Sequence, residues 1–176
     1  RYLFEKYFQL EGSVYEFGCG SGHNLIDLAE MYSELKVTGL DWSTSACDAI
    51  DNFGKEHKLN LSGRFFNFFE PDCDLKLDRD SIVFTIHALE QLEDNYSEVL
   101  NYLLSQPISV CLHVEPIIEF YDHRKKLLDY LGYRYHLHRN YLSNYLTRLR
   151  GLEEKGQIKI LKQRRLQFGG FYHEAY

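Results

Sequence analysis

The sequence predicts an α/β fold, a doubly wound and mostly parallel seven-stranded sheet with an antiparallel last strand. Three observations predict it. Short apolar segments alternate five times with stretches of helical periodicity, an order that gives a parallel sheet covered on both faces. The first apolar segment runs directly into a glycine-rich turn, G-C-G-S-G at 18–22, and then into a helix. Near the C-terminus, Gly169-Gly170 offers only a short link between two strands, and a short link requires antiparallel pairing.

Each element has a local reason. Residues 1–10 place Leu3, Phe4, Tyr7 and Phe8 at helical spacing. The segment 13–17 reads as a strand, and a helix follows the glycine turn over 23–33. A second strand is predicted at 36–40, then a helix over 43–58 with Ser43 as its N-cap. The third strand, 64–69, is rich in phenylalanine, and Phe65, Phe66 and Phe69 read as core. S-I-V-F-T-I-H at 81–87 is a fourth strand. A helix over 95–105 is ended by Pro107, and a fifth strand over 109–115 is stopped by Pro116. Helices over 119–131 and 140–155 follow, then a sixth strand over 157–165 and a seventh from Tyr172.

The length of 176 residues suits one domain spanning 1–176, with a helical insert at about 116–140 lying over the site. The absence of an initiating Met and the ending H-E-A-Y suggest that both termini are truncated. No segment approaches eighteen apolar residues, so no membrane partner is expected. Cys19, Cys47, Cys73 and Cys111 are spaced 28, 26 and 38 apart, which fits neither C-x-x-C nor a disulfide scaffold and suits a reducing, cytoplasmic compartment. The net charge of −6 is unevenly spread: residues 1–133 carry 11 Lys/Arg and 23 Asp/Glu, residues 134–176 carry 9 and 3. The basic part is either a solvated helix face or a local seat for an anionic small molecule such as a phosphorylated sugar. Nucleic acid is disfavoured by the acidic remainder. The oligomeric state is not legible.

A strand, a glycine turn and a helix together make a nucleotide-cofactor site, because the glycines admit a ligand to the backbone and the helix start offers free N–H groups. A dinucleotide loop would need glycine at 23, where His23 stands, and a P-loop would need a Gly-Lys-Ser/Thr ending. The actual pattern is E-x-G-x-G-x-G, from Glu16 to Gly22. Asp41 lies 19 residues beyond Gly22, at the end of the second strand, where a carboxylate can accept both hydroxyls of a ribose. Trp42 beside it can lie against an adenine ring.

These residues resemble the class I, Rossmann-like S-adenosylmethionine (SAM)-dependent methyltransferases. Glu16-Phe17-Gly18-Cys19-Gly20-Ser21-Gly22 is similar to that family's first motif, and Asp41 to its ribose-binding acid. The resemblance implies SAM as cofactor and S-adenosylhomocysteine (SAH) as its product. It implies that Gly18, Gly20 and Gly22 face the methionine part, that Cys19 among them also contacts cofactor, and that Glu16 helps hold its ammonium end. It sets Asn67 and Phe68 where the family binds adenine, with the Asn67 amide oxygen in place of an acid.

Ligands of open parallel sheets bind beyond the carboxyl ends of the strands. His87 and Glu90 follow the fourth strand, His113 and Glu115 end the fifth, and His173 begins the seventh. A hydroxyl acceptor needs a base, so His87, His113 and His173 are the catalytic candidates, with Glu90 or Glu115 to orient one of them. His87 is also placed to touch cofactor. Glu90, His138, Arg139 and Arg165 are the substrate-binding candidates. A rival reading groups the histidines and glutamates as ligands of a divalent metal, without a tight H-x-x-x-H pair to support it. The leading expectation is methyl transfer to a small polar acceptor, at a hydroxyl of a sugar or surface-glycan precursor. The rivals are an RNA or protein methyltransferase using the basic C-terminal surface, and a SAM-binding module without activity.

Overall fold

The structure is a computed structural model, and it describes residues 2–7, 12–165, 169–170 and 173–174. They divide into two compact units, Arg1–Ile86 with Glu98–His113, and His87–Ser97 with Val114–Tyr176.

The first unit carries helix α1 (Tyr2–Tyr7), strand β1 (Ser13–Phe17), helix α2 (His23–Met31), strand β2 (Lys36–Asp41), helix α3 (Thr44–His57), strand β3 (Leu61–Phe65) and strand β4 (Ser81–Ile86). Helix α4 (Ser97–Ser105) and strand β5 (Ile108–Val114) belong to it except for one terminal residue each. The sheet order is β3-β2-β1-β4-β5. β1 is the centre, parallel to β2 through Val14↔Val37 and to β4 through Val14↔Ile82. All five of its residues are buried, as a strand covered on both faces requires. Val14, Val37, Ile82 and Phe84 pack with Leu25 and Leu28 of α2, and the Phe4 ring meets Phe84 edge-on at 4.8 Å. Ser43 caps α3, its Oγ accepting from the Ala46 amide at 3.3 Å. α3 lies close on β3: a Cβ on Gly63 would stand 2.3 Å from the Cys47 carbonyl oxygen.

The second unit holds two 3-10 turns, Leu89–Leu92 and Ile118–Phe120, then helix α5 (Leu127–Arg139) and helix α6 (Tyr145–Glu154). Strands β6 (Gly169–Gly170) and β7 (His173–Glu174) pair antiparallel. Leu142, Tyr145, Leu146 and Leu152 are buried, and Tyr145 meets Tyr96 edge-on at 5.0 Å.

The α/β class with its parallel strands is found. The expected seven strands in one sheet are not: among the described residues the sheet has five, and β6 and β7 form a separate pair. The predicted sixth strand, 157–165, has no ladder. Its polar groups turn to α6 instead, the Ile160 amide donating to Glu153 at 2.7 Å and Gln163 accepting from Arg150 at 3.2 Å. Gly169-Gly170 is itself a strand and not the turn. β3 starts at Leu61, three residues before the expected start at 64, because its register with β2 runs from Val37↔Leu61 to Asp41↔Phe65. Of the three phenylalanines read as core, Phe66 is buried, while Phe65 and Phe69 are exposed. The predicted helix 119–131 is displaced to α5, and Asn140, read as a helix start, is the left-handed residue that ends α5 (φ 55°).

Candidate functional site

In the first unit the glycine turn is fastened at both ends. Gly18 and Cys19 donate their amides to the Leu40 carbonyl at 2.7 and 3.3 Å, hooking the exit of β1 onto β2. Gly20 and Gly22 have φ of 51° and 74°, left-handed values that cost a side chain dearly. Asp41 accepts the Gly20 amide at 2.8 Å through one carboxylate oxygen and the Ser43 amide at 2.9 Å through the other. It therefore ties the glycine turn to the start of α3, a role the spacing alone did not reveal. Each oxygen keeps a further lone pair, so the carboxylate can still accept hydroxyl donors.

Glu16 lies beneath this turn and is 2% exposed. Asn24, in the first turn of α2, donates to its Oε1 at 2.8 Å, while Oε2 is buried with no hydrogen-bond partner. Burial pushes the Glu16 carboxyl up to about 8, against the Asn24 bond that lowers it, and the Asp41 charge adds to the rise. A buried carboxylate oxygen without a donor is a seat for a cationic or N–H-bearing group. Asn24 was missed in the sequence; its place two residues after the last glycine was the available signal. Cys19 is buried beside the turn, and burial raises its thiol well above the ordinary range. Trp42 is 78% exposed. Asn67 spends its side-chain oxygen on the Phe69 amide at 3.0 Å, and Phe68 stacks on Phe17 at 6.4 Å.

His113 is the last residue but one of β5, with Nδ1 2.9 Å from Thr85 Oγ1 and Nε2 3.3 Å from Cys111 Sγ. Burial lowers its pKa to about 4 and raises that of Cys111 to about 12. Both ring nitrogens are engaged by neighbouring strand residues, Thr85 of β4 and Cys111 of β5.

In the second unit, His87 holds a left-handed backbone (φ 52°), rare for a residue with a side chain. Its Nδ1 lies 3.0 Å from Glu90 Oε2, and its amide donates to the Val114 carbonyl at 3.1 Å. Glu90 is buried and raises the His87 pKa against the opposing effect of burial. Glu115, fully buried, accepts the Ala88 and Glu90 amides at 3.2 and 3.3 Å. Glu90 is thus a partner of His87, and Glu115 clamps the 88–90 turn, its charge also raising the His87 pKa.

Arg165 is engaged within the chain. It forms a two-pronged pair with Asp129, at 3.0 and 2.9 Å, and lies over the Tyr121 ring at 5.0 Å, so its charge is already met. His138 and Arg139 are exposed on the last turn of α5, and Arg139 donates to the Tyr141 hydroxyl at 3.3 Å. The buried histidine of that helix is His136, 3.3 Å from the Tyr121 hydroxyl, which sequence reading passed over. His173 lies in β7, and its side chain falls outside the described residues. Among the described residues no three His, Cys, Asp or Glu side chains are grouped to hold a metal, and no helix is long and apolar enough to cross a membrane.

A family model described as a methyltransferase domain matches residues 14–104. No curated protein matches the chain. Among solved structures, the plantazolicin methyltransferase BamL, in complex with a triazolic desmethyl analogue and SAH, is 20% identical with a TM-score of 0.57, over 88% of this chain and 58% of that one. Coclaurine N-methyltransferase, bound to N-methylheliamine and SAH, is 23% identical with a TM-score of 0.53, over 64% of this chain and 34% of that one. An O-methyltransferase from a trans-AT PKS multienzyme of Brevibacillus brevis, in complex with SAH, is 20% identical with a TM-score of 0.52, over 65% of this chain and 39% of that one. At these identities the likeness is one of fold, and this chain spans between about a third and three-fifths of each relative's length.

Proposed function

Because the chain belongs to the methyltransferase-domain family, we propose that it binds S-adenosylmethionine and transfers a methyl group to a small polar acceptor, at a hydroxyl. The observation that supports this most is Glu16, whose buried Oε2 faces no donor beneath a glycine turn. The residues fit the cofactor. Glu16 and Asn24 receive its ammonium end, and Gly18, Gly20 and Gly22 let the backbone come close. Asp41 accepts the ribose hydroxyls while keeping the turn in place, and the exposed Trp42 indole and the half-buried Phe68 ring offer flat surfaces to adenine. When bound, the sulfonium supplies an already activated methyl group, so alignment and exclusion of water carry much of the rate.

A hydroxyl acceptor must lose a proton, and His87 is the base this reading selects. Glu90 fixes its ring through Nδ1 and strengthens it as a base, and Glu115 fixes the turn that carries both. The solved relatives include both N- and O-methyltransferases by their descriptions, so the choice of oxygen rests on this His87–Glu90 pair.

Calorimetry with SAM tests the proposal. The unaltered chain should bind it, and Asp41→Ala should abolish binding while circular dichroism shows the helices kept. An affinity unchanged in Asp41→Ala overturns the ribose assignment, and no binding to the unaltered chain overturns the cofactor.

A further inference from the structure

Within the first unit, the turn that follows β3 comes back over the glycine-turn end of the sheet. Phe65 is the register partner of Asp41, and the Phe66 amide donates to the Asp41 carbonyl at 2.9 Å. Phe66 is buried and meets the Phe17 ring edge-on at 4.9 Å, and the Phe68 ring stacks on Phe17 at 6.4 Å. Phe17 ends β1 and leads into the glycine turn. Residues 66–68 therefore stand beside both that turn and Asp41. A base joined to a ribose at Asp41 has Trp42 and this segment as its neighbours.

Asn67 has one half of its amide engaged and the other open. Its Oδ1 accepts the Phe69 amide at 3.0 Å. That partner settles which atom is which, because a main-chain N–H can only donate and so must meet the oxygen. What is left is Nδ2, which can only donate. Asn67 is half-buried, and among the described residues its Nδ2 has no hydrogen-bond partner. A carboxylate in the same place would do the reverse, one oxygen holding the Phe69 amide and the other accepting from a ligand. The exocyclic amine of adenine is a donor, while N1 and N7, on either side of it, are acceptors. Two donors do not bond one another, so Nδ2 suits a ring nitrogen and not the amine.

We propose that Asn67 reads the cofactor's adenine as an acceptor, Nδ2 donating to a ring nitrogen beside the exocyclic amine, and that this side chain leaves the amine unread. This role rests on the proposed binding of SAM, and it is the opposite of an amide oxygen standing in for an acid. Its consequence is specificity. A site that hydrogen-bonds a group rejects an analogue lacking it, whereas a group it does not bond can be removed with little loss. The chain should therefore tolerate cofactors altered at the amine and discriminate against bases that lack the ring nitrogen.

The experiment is calorimetry of the full chain with SAH and three analogues. One carries unsubstituted purine, which lacks only the amine; in the other two a C–H replaces N1 or N7. SAH and the purine analogue should bind within about threefold of each other, and one of the C–H analogues about five- to tenfold more weakly, the effect of one neutral hydrogen bond. Asn67→Asp keeps an oxygen for the Phe69 amide and turns the donor into an acceptor. It should erase the preference for that ring nitrogen and make loss of the amine weaken binding about tenfold or more, since an ionised acceptor bonds more strongly. An unchanged melting temperature shows that the turn is kept. In the unaltered chain, a larger loss from removing the amine than from removing either ring nitrogen overturns the proposal, whether or not the variant folds. So does an Asn67→Asp chain with unaltered preferences, which would assign the discrimination to other groups. If SAH does not bind the unaltered chain at all, the cofactor reading fails and this role with it; SAH that binds with the wrong preference removes this role alone.

Discussion

A buried carboxylate oxygen without a donor is costly unless a proton or a cation meets it. In Glu16 the proton does so, since its pKa of about 8 leaves the side chain mainly neutral at pH 7. A cationic ligand drawn to the same oxygen should displace that proton. SAM binding at pH 7 is therefore expected to release a proton, read by calorimetry in buffers of different ionisation enthalpy. Glu16→Gln should bind more weakly and release none; equal release from the variant would remove Glu16 from the ammonium seat. His87 offers a second test. Its pKa is raised first by the Glu90 hydrogen bond, so as a base it should lose activity as pH falls through a value above that of an ordinary histidine. Glu90→Gln should move this acidic limb of kcat to lower pH and reduce the rate above it. A limb that stays in place would show that His87 is not the titrating group.

The contact between α3 and β3 depends on Gly63. A Cβ there would meet the Cys47 backbone at 2.3 Å, and backbone cannot yield as a side-chain end can. Gly63→Ala should cost about 1–3 kcal/mol, read as a lower denaturant midpoint. Gly151, helical in α6 with nothing near its Cβ, is the control: Gly151→Ala should gain about 0.5–1 kcal/mol. Elements with local signals were legible in the sequence. β1 was read to the residue, and α3 was read with its Ser43 cap, because alternation with neighbouring turns and capping are near-neighbour effects. β3 was placed late because its start is set by pairing with β2, while the phenylalanine run follows it. α5 was misplaced because its apolar residues face outward, so the usual periodicity points the wrong way. The segment 157–165 looked like a strand, but side chains of α6 take up its polar groups. The site divides in the same manner. The loop glycines, Glu16 and Asp41 stood at recognisable spacings, whereas the engagement of Arg165 by Asp129, thirty-six residues away, is a tertiary fact.

Over the whole molecule, the shifted groups set how stability follows pH, with signs that oppose below neutrality and agree above it. Asp78 accepts from Lys36 at 2.7 Å and Ser13 at 2.6 Å, bonds that hold its pKa near about 2. Its contribution is present above 3.8 and is lost as pH falls through about 2. The His113 imidazole, lowered to about 4, stays neutral in the fold while the unfolded chain takes protons from 6.5 downward, so stability rises with pH across that window. Glu16 does the opposite: the fold keeps its proton from 4.5 up to about 8, and stability falls with pH throughout that range. Between 4.5 and 6.5 these two effects offset each other. Above 6.5 His113 has nothing more to give, and Glu16 is joined by His87, whose raised pKa yields stability that is lost as pH climbs through it. The ligand-free chain should therefore lose stability between pH 6.5 and 8. The Glu16 share is about 1.5 kcal/mol over that interval, from roughly 1.36 kcal/mol per pH unit reduced as the carboxyl begins to ionise near 8. Denaturant melts at the two pH values read the loss directly. Glu16→Gln should remove most of it, and Glu90→Gln a smaller part through His87. A loss that is the same size in Glu16→Gln would mean that its carboxyl is ionised in the folded chain, and the seat for a cationic ligand would then have to be sought elsewhere.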